Sequence, residues 1–241
     1  MAIRSVKYMG DEFLISYDKV TNKANKVALF LHGWGSSKEL MKSVFAKTLP
    51  QFDHYYVDLP GFGNSTIPKA LNSYEYHKVL KLFLKELNIE PDMIIGHSFG
   101  GKIATLLNPP LLILLSSAGI FRKKSINIRM KIYIFKILKR VGLGKFYKLF
   151  ASKDVKNADK TLYETFKKVV DEDFKEEFAN FKNKALIFWG VKDRATPLAS
   201  GKMIESLIKK SHFYALEGDH FFFLNSANFI EQTIRKNCEN I

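Results

Sequence analysis

The sequence predicts an α/β fold in which a mostly parallel β-sheet is flanked by helices and is interrupted by one helical insertion. Short apolar runs, which suit strands buried on both faces, alternate with segments whose apolar residues recur at helical spacing. This alternation stops at residue 118 and resumes at residue 184. The 241 residues, 46% of them hydrophobic and 26% charged, suit one domain with a sizeable core.

The predicted elements follow in order along the chain. The first is a pair of strands that turns near Gly10 and Asp11. Further strands are expected at residues 26–31, 54–58, 92–95, 111–115, 185–189 and 211–216. Helices are expected at residues 40–49, 73–87, 100–107 and 199–208, and from Ala227 onward. Strands that alternate with helices form βαβ units, so the sheet is expected to be mostly parallel.

Residues 118–183 are predicted to form a helical lid, inserted into a core made of residues 1–117 and 184–241. The insertion follows the carboxyl end of a strand, and open α/β sheets bind ligands at that end. Residues 118–152 contain ten Lys and Arg and no Asp or Glu. The chain has a net charge of +14, but outside this stretch it has only 28 basic against 24 acidic residues. The excess of basic residues therefore belongs mainly to the lid.

Composition excludes several classes of protein. The hydrophobic content excludes a disordered chain, and a single cysteine, Cys238, excludes a disulfide scaffold. The longest apolar run, residues 109–118, is far shorter than the roughly 20 residues of a membrane-spanning helix. The first residues lack a signal-peptide pattern, so we expect a soluble, cytoplasmic protein. We expect no metal, since no metal-ligand spacing is present, and no nucleic-acid partner, since no nucleic-acid module is recognisable.

The segment from Gly96 to Gly100 has the pattern G-x-S-x-G, with Ser98 at its centre. The pattern alone is common, but here it follows a predicted strand and opens a predicted helix, as a nucleophile elbow requires. The small flanking residues permit a sharp turn that exposes the serine. The amide of Phe99 is then expected to point to an oxyanion. The alternative is a glycine-rich turn with an ordinary serine.

His220 is the predicted base that activates the serine. It follows the last predicted strand, in a loop that faces the ligand end of the sheet. His97 adjoins Ser98 and is expected to point away from it. His32 is expected to be structural, and His212 lies within the last predicted strand. His54 and His77 are each expected to be a surface or packing residue.

Asp193 is the predicted acid, in the loop that follows the strand at 185–189. It would accept a hydrogen bond from His220, fix its tautomer and stabilise the imidazolium form. The alternative role for Asp193 is that of a turn residue that caps the next helix. Two other candidates are weaker, since Asp219 adjoins the histidine in sequence and Asp58 is better placed to shape the turn at residues 60–63.

Trp34 is expected to provide the second oxyanion donor through its backbone amide. The flanking Gly33 and Gly35 free the backbone to turn inward. The Trp34 indole would then form a wall of the substrate pocket, although a role in packing alone is the alternative. Phe221, which follows the base, is a further candidate for the pocket wall.

These segments together resemble the α/β-hydrolase superfamily over nearly the whole chain. The matching segments are residues 32–35, 58–63, 96–101, 189–194 and 218–220. The chain order Ser, Asp, His is also that of the superfamily. The resemblance implies an α/β-hydrolase fold with a Ser98–His220–Asp193 triad. It does not define the substrate, because this fold hosts many reactions.

Within the superfamily the chain looks like small bacterial carboxylesterases, meta-cleavage-product hydrolases and the esterases that release pimeloyl chains in biotin synthesis. The favoured activity is hydrolysis of esters with small to medium acyl chains. The first alternative is carbon–carbon hydrolysis of a 2-hydroxy-6-oxo-dienoate. Against it, His97 stands where those enzymes usually have Asn, and Phe221 where they often have Trp. The second alternative is a ligand-binding protein on a hydrolase scaffold. Residues 108–110 also replace a longer loop of the family.

The basic part of the lid includes residues 126–141, which have the pattern of an amphipathic helix. The simplest interpretation is a helix that covers the site with its apolar face and leaves its charges in water. Arg129 or its neighbours could instead hold an acidic substrate, and contact with a membrane surface is a further alternative. The stretch from Asp154 to Glu177, which has both signs of charge, is expected to be an outer solvated face.

Overall fold

The computed structural model describes residues 1–121 and 160–238, and these form one β-sheet flanked by helices. The strands are β1 (Ala2–Tyr8), β2 (Asp11–Val20), β3 (Lys26–Leu31), β4 (Phe52–Val57), β5 (Met93–His97), β6 (Leu111–Leu115), β7 (Lys184–Gly190) and β8 (Ser211–Leu216). The helices are α1 (Lys38–Phe45), α2 (Ser73–Glu86), α3 (Phe99–Leu107), α4 (Lys160–Val169), α5 (Lys175–Asn180), α6 (Leu198–Leu207) and α7 (Phe223–Cys238).

The sheet has eight strands in the order β1-β2-β4-β3-β5-β6-β7-β8. The pairs β1–β2 and β2–β4 are antiparallel and every other pair is parallel. From β3 the chain proceeds first to β4 on one side and later to β5 on the other side. Open α/β sheets bind ligands beyond the carboxyl ends of strands at such a switch in direction. Residues that directly follow β3 and β5 therefore lie where a site is expected.

Two apolar cores lie on the two faces of the sheet. Helices α1 and α7 pack on one face, and α2, α3, α5 and α6 pack on the other. Central strands contribute to both cores, since side chains on a strand point alternately to opposite faces. All five residues of β6 are buried, which explains the uninterrupted apolar run at this strand. The predicted α/β class with a mostly parallel sheet is confirmed.

Two helix boundaries differ from the sequence prediction by four residues. Helix α1 ends at Phe45, not at Leu49, because Leu49 has a positive φ of 51° and donates its amide to Glu231 at 2.9 Å. Helix α7 begins at Phe223, four residues before the predicted start. Phe223 stacks on Phe45 with ring centroids 6.3 Å apart, and this contact between distant segments favours the earlier start.

The described part of the insertion contains α4 and α5. Residues 122–159, which include Arg129, all ten bases and the predicted helix at 126–141, lie outside the described residues. The expectation of a solvated face at 154–177 is wrong for three described residues, since Thr165, Val169 and Phe174 are buried. The domain limits stay a prediction. In the two described ranges, none of the helices combines the length and hydropathy needed to cross a bilayer.

Candidate active site

Ser98 lies at a sharp turn between β5 and α3. Its backbone has φ 50° and ψ −113°, a conformation that costs energy for a residue with a side chain. The turn is held by its neighbours. The Ser98 amide donates to Leu115 at 3.0 Å, and the Ser98 carbonyl accepts from Gly101 at 3.0 Å and Ala118 at 2.9 Å. These bonds fix a strained residue at the ligand end of the sheet.

Gly96 and Gly100 make this turn possible because both lie against backbone. A Cβ atom on Gly96 would lie 2.6 Å from the carbonyl oxygen of Gly100. A Cβ atom on Gly100 would lie 2.5 Å from the carbonyl oxygen of Leu31 at the end of β3. The glycines of the G-x-S-x-G pattern therefore let α3 approach the central strands closely.

Asp193 and His220 are hydrogen bonded to each other. The distance from His220 Nδ1 to Asp193 Oδ2 is 2.8 Å, and the Asp193 side chain is fully buried while that of His220 is 16% exposed. Asp193 Oδ1 accepts from the amides of Ala195 at 2.8 Å and Thr196 at 2.9 Å. The Thr196 hydroxyl lies 2.8 Å from Asp193 Oδ2 and 3.3 Å from His220 Nδ1. Two backbone amides and one hydroxyl group thus orient the Asp193 carboxylate, in addition to its hydrogen bond with His220.

Hydrogen bonds also control the charge of Asp193. Burial alone raises the pKa of a carboxyl group, but hydrogen bonds from His220 and Thr196 favour the ionised form more strongly. The net effect lowers the pKa of Asp193 to about 2. Asp193 is therefore an anion at neutral pH.

Ser98 and His220 lie in the same region without a direct bond. Within the described residues, no hydrogen bond joins the Ser98 hydroxyl to His220. His97, which precedes Ser98, contacts His220 with ring centroids 4.7 Å apart. Hydrogen bonds between catalytic groups are often long in an unliganded site and shorten when substrate binds.

The backbone amides of Trp34 and Phe99 were predicted to bind an oxyanion. Phe99 is the first residue of α3, where a helix leaves its amides without acceptors. Trp34 lies in a tight turn in which the Ser36 amide donates to Gly33 at 3.2 Å. In the described part of the chain, neither the Trp34 amide nor the Phe99 amide has an acceptor. The Gly33 backbone lies beside Ser98, because a Cβ atom on Gly33 would be 3.1 Å from Ser98 Cβ.

A cavity of about 490 Å³ lies beside Ser98. Its lining includes Ser98, Trp34 and Phe99, together with Phe166 and Val169 from α4 of the insertion. The Trp34 ring contacts Phe99 at 5.6 Å and Phe166 at 5.3 Å between centroids. Phe166 was not singled out in the sequence, because its apolar spacing in a helix equally fits packing. The insertion and the core thus form the walls of the cavity together.

Phe221 and Arg129 were also predicted to line the pocket. Phe221 lies outside the described lining, with 41% of its surface exposed, and packs on His97 at 5.3 Å between ring centroids. Arg129 lies outside the described residues. Trp34 is the predicted pocket residue that does line the cavity.

Lys102 is a buried cation in the cavity wall. Its ammonium group donates to Glu172 at 2.5 Å and to the Val169 carbonyl at 2.9 Å. It also lies 4.5 Å from the centre of the Phe174 ring. Burial lowers the pKa of Lys102, and Glu172 opposes this shift. The ion pair joins α3 to the segment between α4 and α5.

The remaining candidates have structural contacts. His32 is buried between two backbone groups, since Nε2 accepts from the Leu59 amide at 3.0 Å and Nδ1 donates to the Gly33 carbonyl at 2.7 Å. Asp58 is buried and pairs with Lys38 at 2.8 Å. The Asp219 carboxylate accepts from the Phe221 amide at 2.9 Å. Neither Asp58 nor Asp219 is hydrogen bonded to His220 in the described part of the chain.

The sheet, the strained serine turn and the flanking helices define the α/β-hydrolase fold. The sequence family described as alpha/beta hydrolase fold matches residues 27–107 of this chain. The chain is 24% identical to YugF of Bacillus subtilis, described as an uncharacterized hydrolase. That match covers 87% of this chain and 88% of the relative. This similarity and the fold support an α/β-hydrolase enzyme.

Solved structures agree on the fold. The esterase RhEst1 from Rhodococcus sp. superposes with a TM-score of 0.74 at 18% identity, over 100% of this chain and 99% of that chain. A meta-cleavage product hydrolase from Pseudomonas fluorescens superposes with a TM-score of 0.71 at 17% identity, over 97% and 96% of the two chains. Identities this low establish a shared fold and leave the reaction to the residues of the site.

In residues 1–121 and 160–238, no group of three or more His, Cys, Asp or Glu side chains is arranged to hold a metal ion.

Proposed function

We propose that the protein is a serine hydrolase that cleaves carboxylic esters of small to medium acyl chains. The principal supporting observation is the strained backbone of Ser98 at the start of α3, together with the hydrogen-bonded Asp193 and His220. The amides of Trp34 and Phe99 supply the further element that acyl transfer needs.

In the proposed mechanism Ser98 is the nucleophile, His220 transfers protons and two backbone amides stabilise the oxyanion. The Ser98 hydroxyl attacks the ester carbonyl while His220 takes its proton. The amides of Trp34 and Phe99 stabilise the oxyanion that forms. His220 then gives the proton to the leaving alcohol, and an acyl-enzyme remains. Water, deprotonated by His220, releases the acid and restores Ser98.

The cavity wall favours an uncharged acyl chain. Aromatic and aliphatic side chains, including Trp34 and Phe166, form much of the wall beside Ser98. Among the described lining residues, Lys102 is the sole cation, and Glu172 already pairs with it. A free carboxylate, as in a dienoate substrate, would find no unpaired cation in this described wall. The described part of the wall therefore suits a neutral acyl chain.

The first experiment compares the wild-type protein with Ser98→Ala on p-nitrophenyl esters from acetate to decanoate. We expect wild-type turnover with an optimum at short or medium chains. Because the nucleophile is removed, Ser98→Ala should reduce turnover by at least about 10³-fold. Ser206→Ala is the matched control, since this exposed serine on α6 bonds only its own helix through the Met203 carbonyl at 2.7 Å.

Two results would contradict the proposal. Equal turnover by wild type and Ser98→Ala would place the reaction elsewhere. A wild-type protein that hydrolyses no ester and fails to react with a fluorophosphonate probe at Ser98 would exclude an activated serine. In the latter case, turnover of a 2-hydroxy-6-oxo-dienoate would identify the carbon–carbon hydrolase. Ligand binding without turnover would identify a binding protein on this fold.

A further inference from the structure

His97 is a fully buried imidazole that the proposed mechanism does not use. Its Nε2 lies 3.1 Å from the backbone carbonyl oxygen of His220, which is 123 residues away in sequence. A carbonyl oxygen can only accept, so Nε2 must carry the proton and donate it. The tautomer of His97 is therefore set by the residue proposed as the base.

The second nitrogen of His97 has no partner. Nδ1 is buried and no hydrogen bond reaches it within the described residues. It faces the backbone after β3, because a Cβ atom on Gly33 would lie 2.8 Å from it. Burial lowers the pKa of His97 to about 3, so the ring is neutral at working pH and leaves the positive charge of the reaction to His220.

The location of the ring is unusual, because it touches all three parts of the site. His97 precedes Ser98 on the chain, abuts Gly33 in the turn that presents the Trp34 amide, and bonds the His220 carbonyl. Its ring also packs on Phe223 at 4.8 Å between centroids. An unsatisfied buried nitrogen disfavours a histidine at a position where packing alone is required.

The bond from His97 is one of several restraints on the loop that holds His220. Glu217, Asp219 and Phe221 in this loop are exposed. The Gly218 carbonyl accepts from the Lys192 amide at 2.9 Å, and this bond also restrains the loop. Asp193 orients the imidazole of His220 through Nδ1, but it does not fix the peptide group. The bond from His97 fixes the peptide group of His220 itself.

We propose that His97 is a positioning residue, which holds the His220 loop against the Ser98 turn through its Nε2–H bond to the His220 carbonyl. This inference rests on the proposed function, because the role of His220 as base does. It predicts that the donor at position 97 affects the chemical step, whereas the bulk of the ring affects stability.

The test compares His97→Gln with His97→Met, which have side chains of similar length but differ in the presence of a donor. His54→Met is the matched control. His54, on β4, is also buried, and its Nε2 lies 3.1 Å from the Leu49 carbonyl. Each variant is assayed for kcat, KM, the rate of fluorophosphonate labelling at Ser98 and urea unfolding.

We expect kcat and the labelling rate of His97→Met to fall about 10- to 100-fold at nearly constant KM. His97→Gln should recover at least tenfold of this loss, and His54→Met should keep kcat within about twofold while it loses stability. Equal rates for the Gln and Met variants, or a His97→Met variant with the kcat of the control, would overturn the inference.

A second measurement uses the wild-type protein and does not depend on whether a variant folds. In ¹⁵N-histidine spectra, we expect one neutral imidazole with an exchange-protected proton on Nε2 and a bare Nδ1. A His97 protonated on Nδ1 would overturn the inference. A wild type that fails to react at Ser98 while His97 shows the expected tautomer would instead contradict the proposed function.

Discussion

At the scale of single residues, the Thr196 hydroxyl contacts both Asp193 and His220. Its hydroxyl group lies within 3.3 Å of both Asp193 Oδ2 and His220 Nδ1, and 3.0 Å from the Ser116 carbonyl. One hydroxyl proton can be donated to one acceptor at a time. While it is donated to Asp193, the carboxylate shares its charge among more donors. Thr196 thus helps to orient the Asp193 carboxylate.

Thr196→Val keeps the shape of the side chain and removes the hydroxyl group. We expect kcat/KM to fall about 5- to 20-fold, because the acid loses one of its orienting bonds. Initial rates over a range of substrate concentrations measure this effect.

Two further variants control the Thr196 experiment. Thr196→Ser should stay close to wild type, since it keeps the hydroxyl. Thr233→Val removes another buried hydroxyl, which bonds the Phe229 carbonyl in α7 at 2.8 Å, and should leave kcat/KM unchanged. A Thr196→Val variant with the wild-type kcat/KM would contradict this role.

At the scale of secondary-structure elements, one ion pair joins three helical segments. Lys102 on α3 pairs with Glu172, which follows α4, and Glu172 also accepts hydrogen bonds from the amide and hydroxyl of Ser73 at the start of α2. The Lys102 side chain is 2% exposed and that of Glu172 15%. The pair therefore fixes one described end of the insertion beside the cavity.

Lys102→Met should lower the free energy of unfolding by about 3 kcal/mol, because it leaves Glu172 without its cation at a mostly buried position. Urea unfolding measures this change. Lys167→Met breaks the exposed pair between Lys167 and Glu164 on α4, and should cost less than about 0.5 kcal/mol. Similar losses for the two variants would show that Lys102 does not anchor the insertion.

At the scale of the whole molecule, buried neutral histidines make stability depend on pH. Burial lowers the pKa of His32 to about 4 and that of His97 to about 3. In the unfolded chain both groups titrate near 6.5. As pH falls below 6.5, these histidines bind protons in the unfolded state but not in the folded state, so the folded state is progressively disfavoured.

We expect His32 and His97 to lower the free energy of unfolding by about 3 to 4 kcal/mol between pH 7 and pH 5, because each contributes about 1.4 kcal/mol per pH unit once the pH is below 6.5. Burial also lowers the pKa of His54 and His77, so these two histidines add to the slope. His97→Gln removes one titrating group and should reduce the slope by about 1.4 kcal/mol per pH unit. His212→Gln, at an exposed position on β8, should leave it unchanged. Urea titrations at each pH measure the slope, and a constant free energy over this range would contradict the expectation.

The order of strands and helices could be predicted because their signals are local. The apolar run at residues 111–115 and the helical spacing at 73–87 need no knowledge of distant residues. The predictions that were wrong concern positions where residues far apart in the chain are in contact. Phe223 belongs to a helix because it packs on Phe45, and residues 154–177 are not a uniformly solvated face because Phe174 enters the core.

The sequence by itself determined the α/β class, the sharp turn at Ser98 and the candidates Asp193 and His220, because small residues, strand ends and loop positions can be recognised in short segments. Only the tertiary structure decided that Thr196 touches both members of the acid–base pair, that His97 bonds the His220 carbonyl and that Lys102 pairs with Glu172. Such contacts join residues far apart in the chain, and they form only when the parallel sheet brings the carboxyl ends of its strands to one edge.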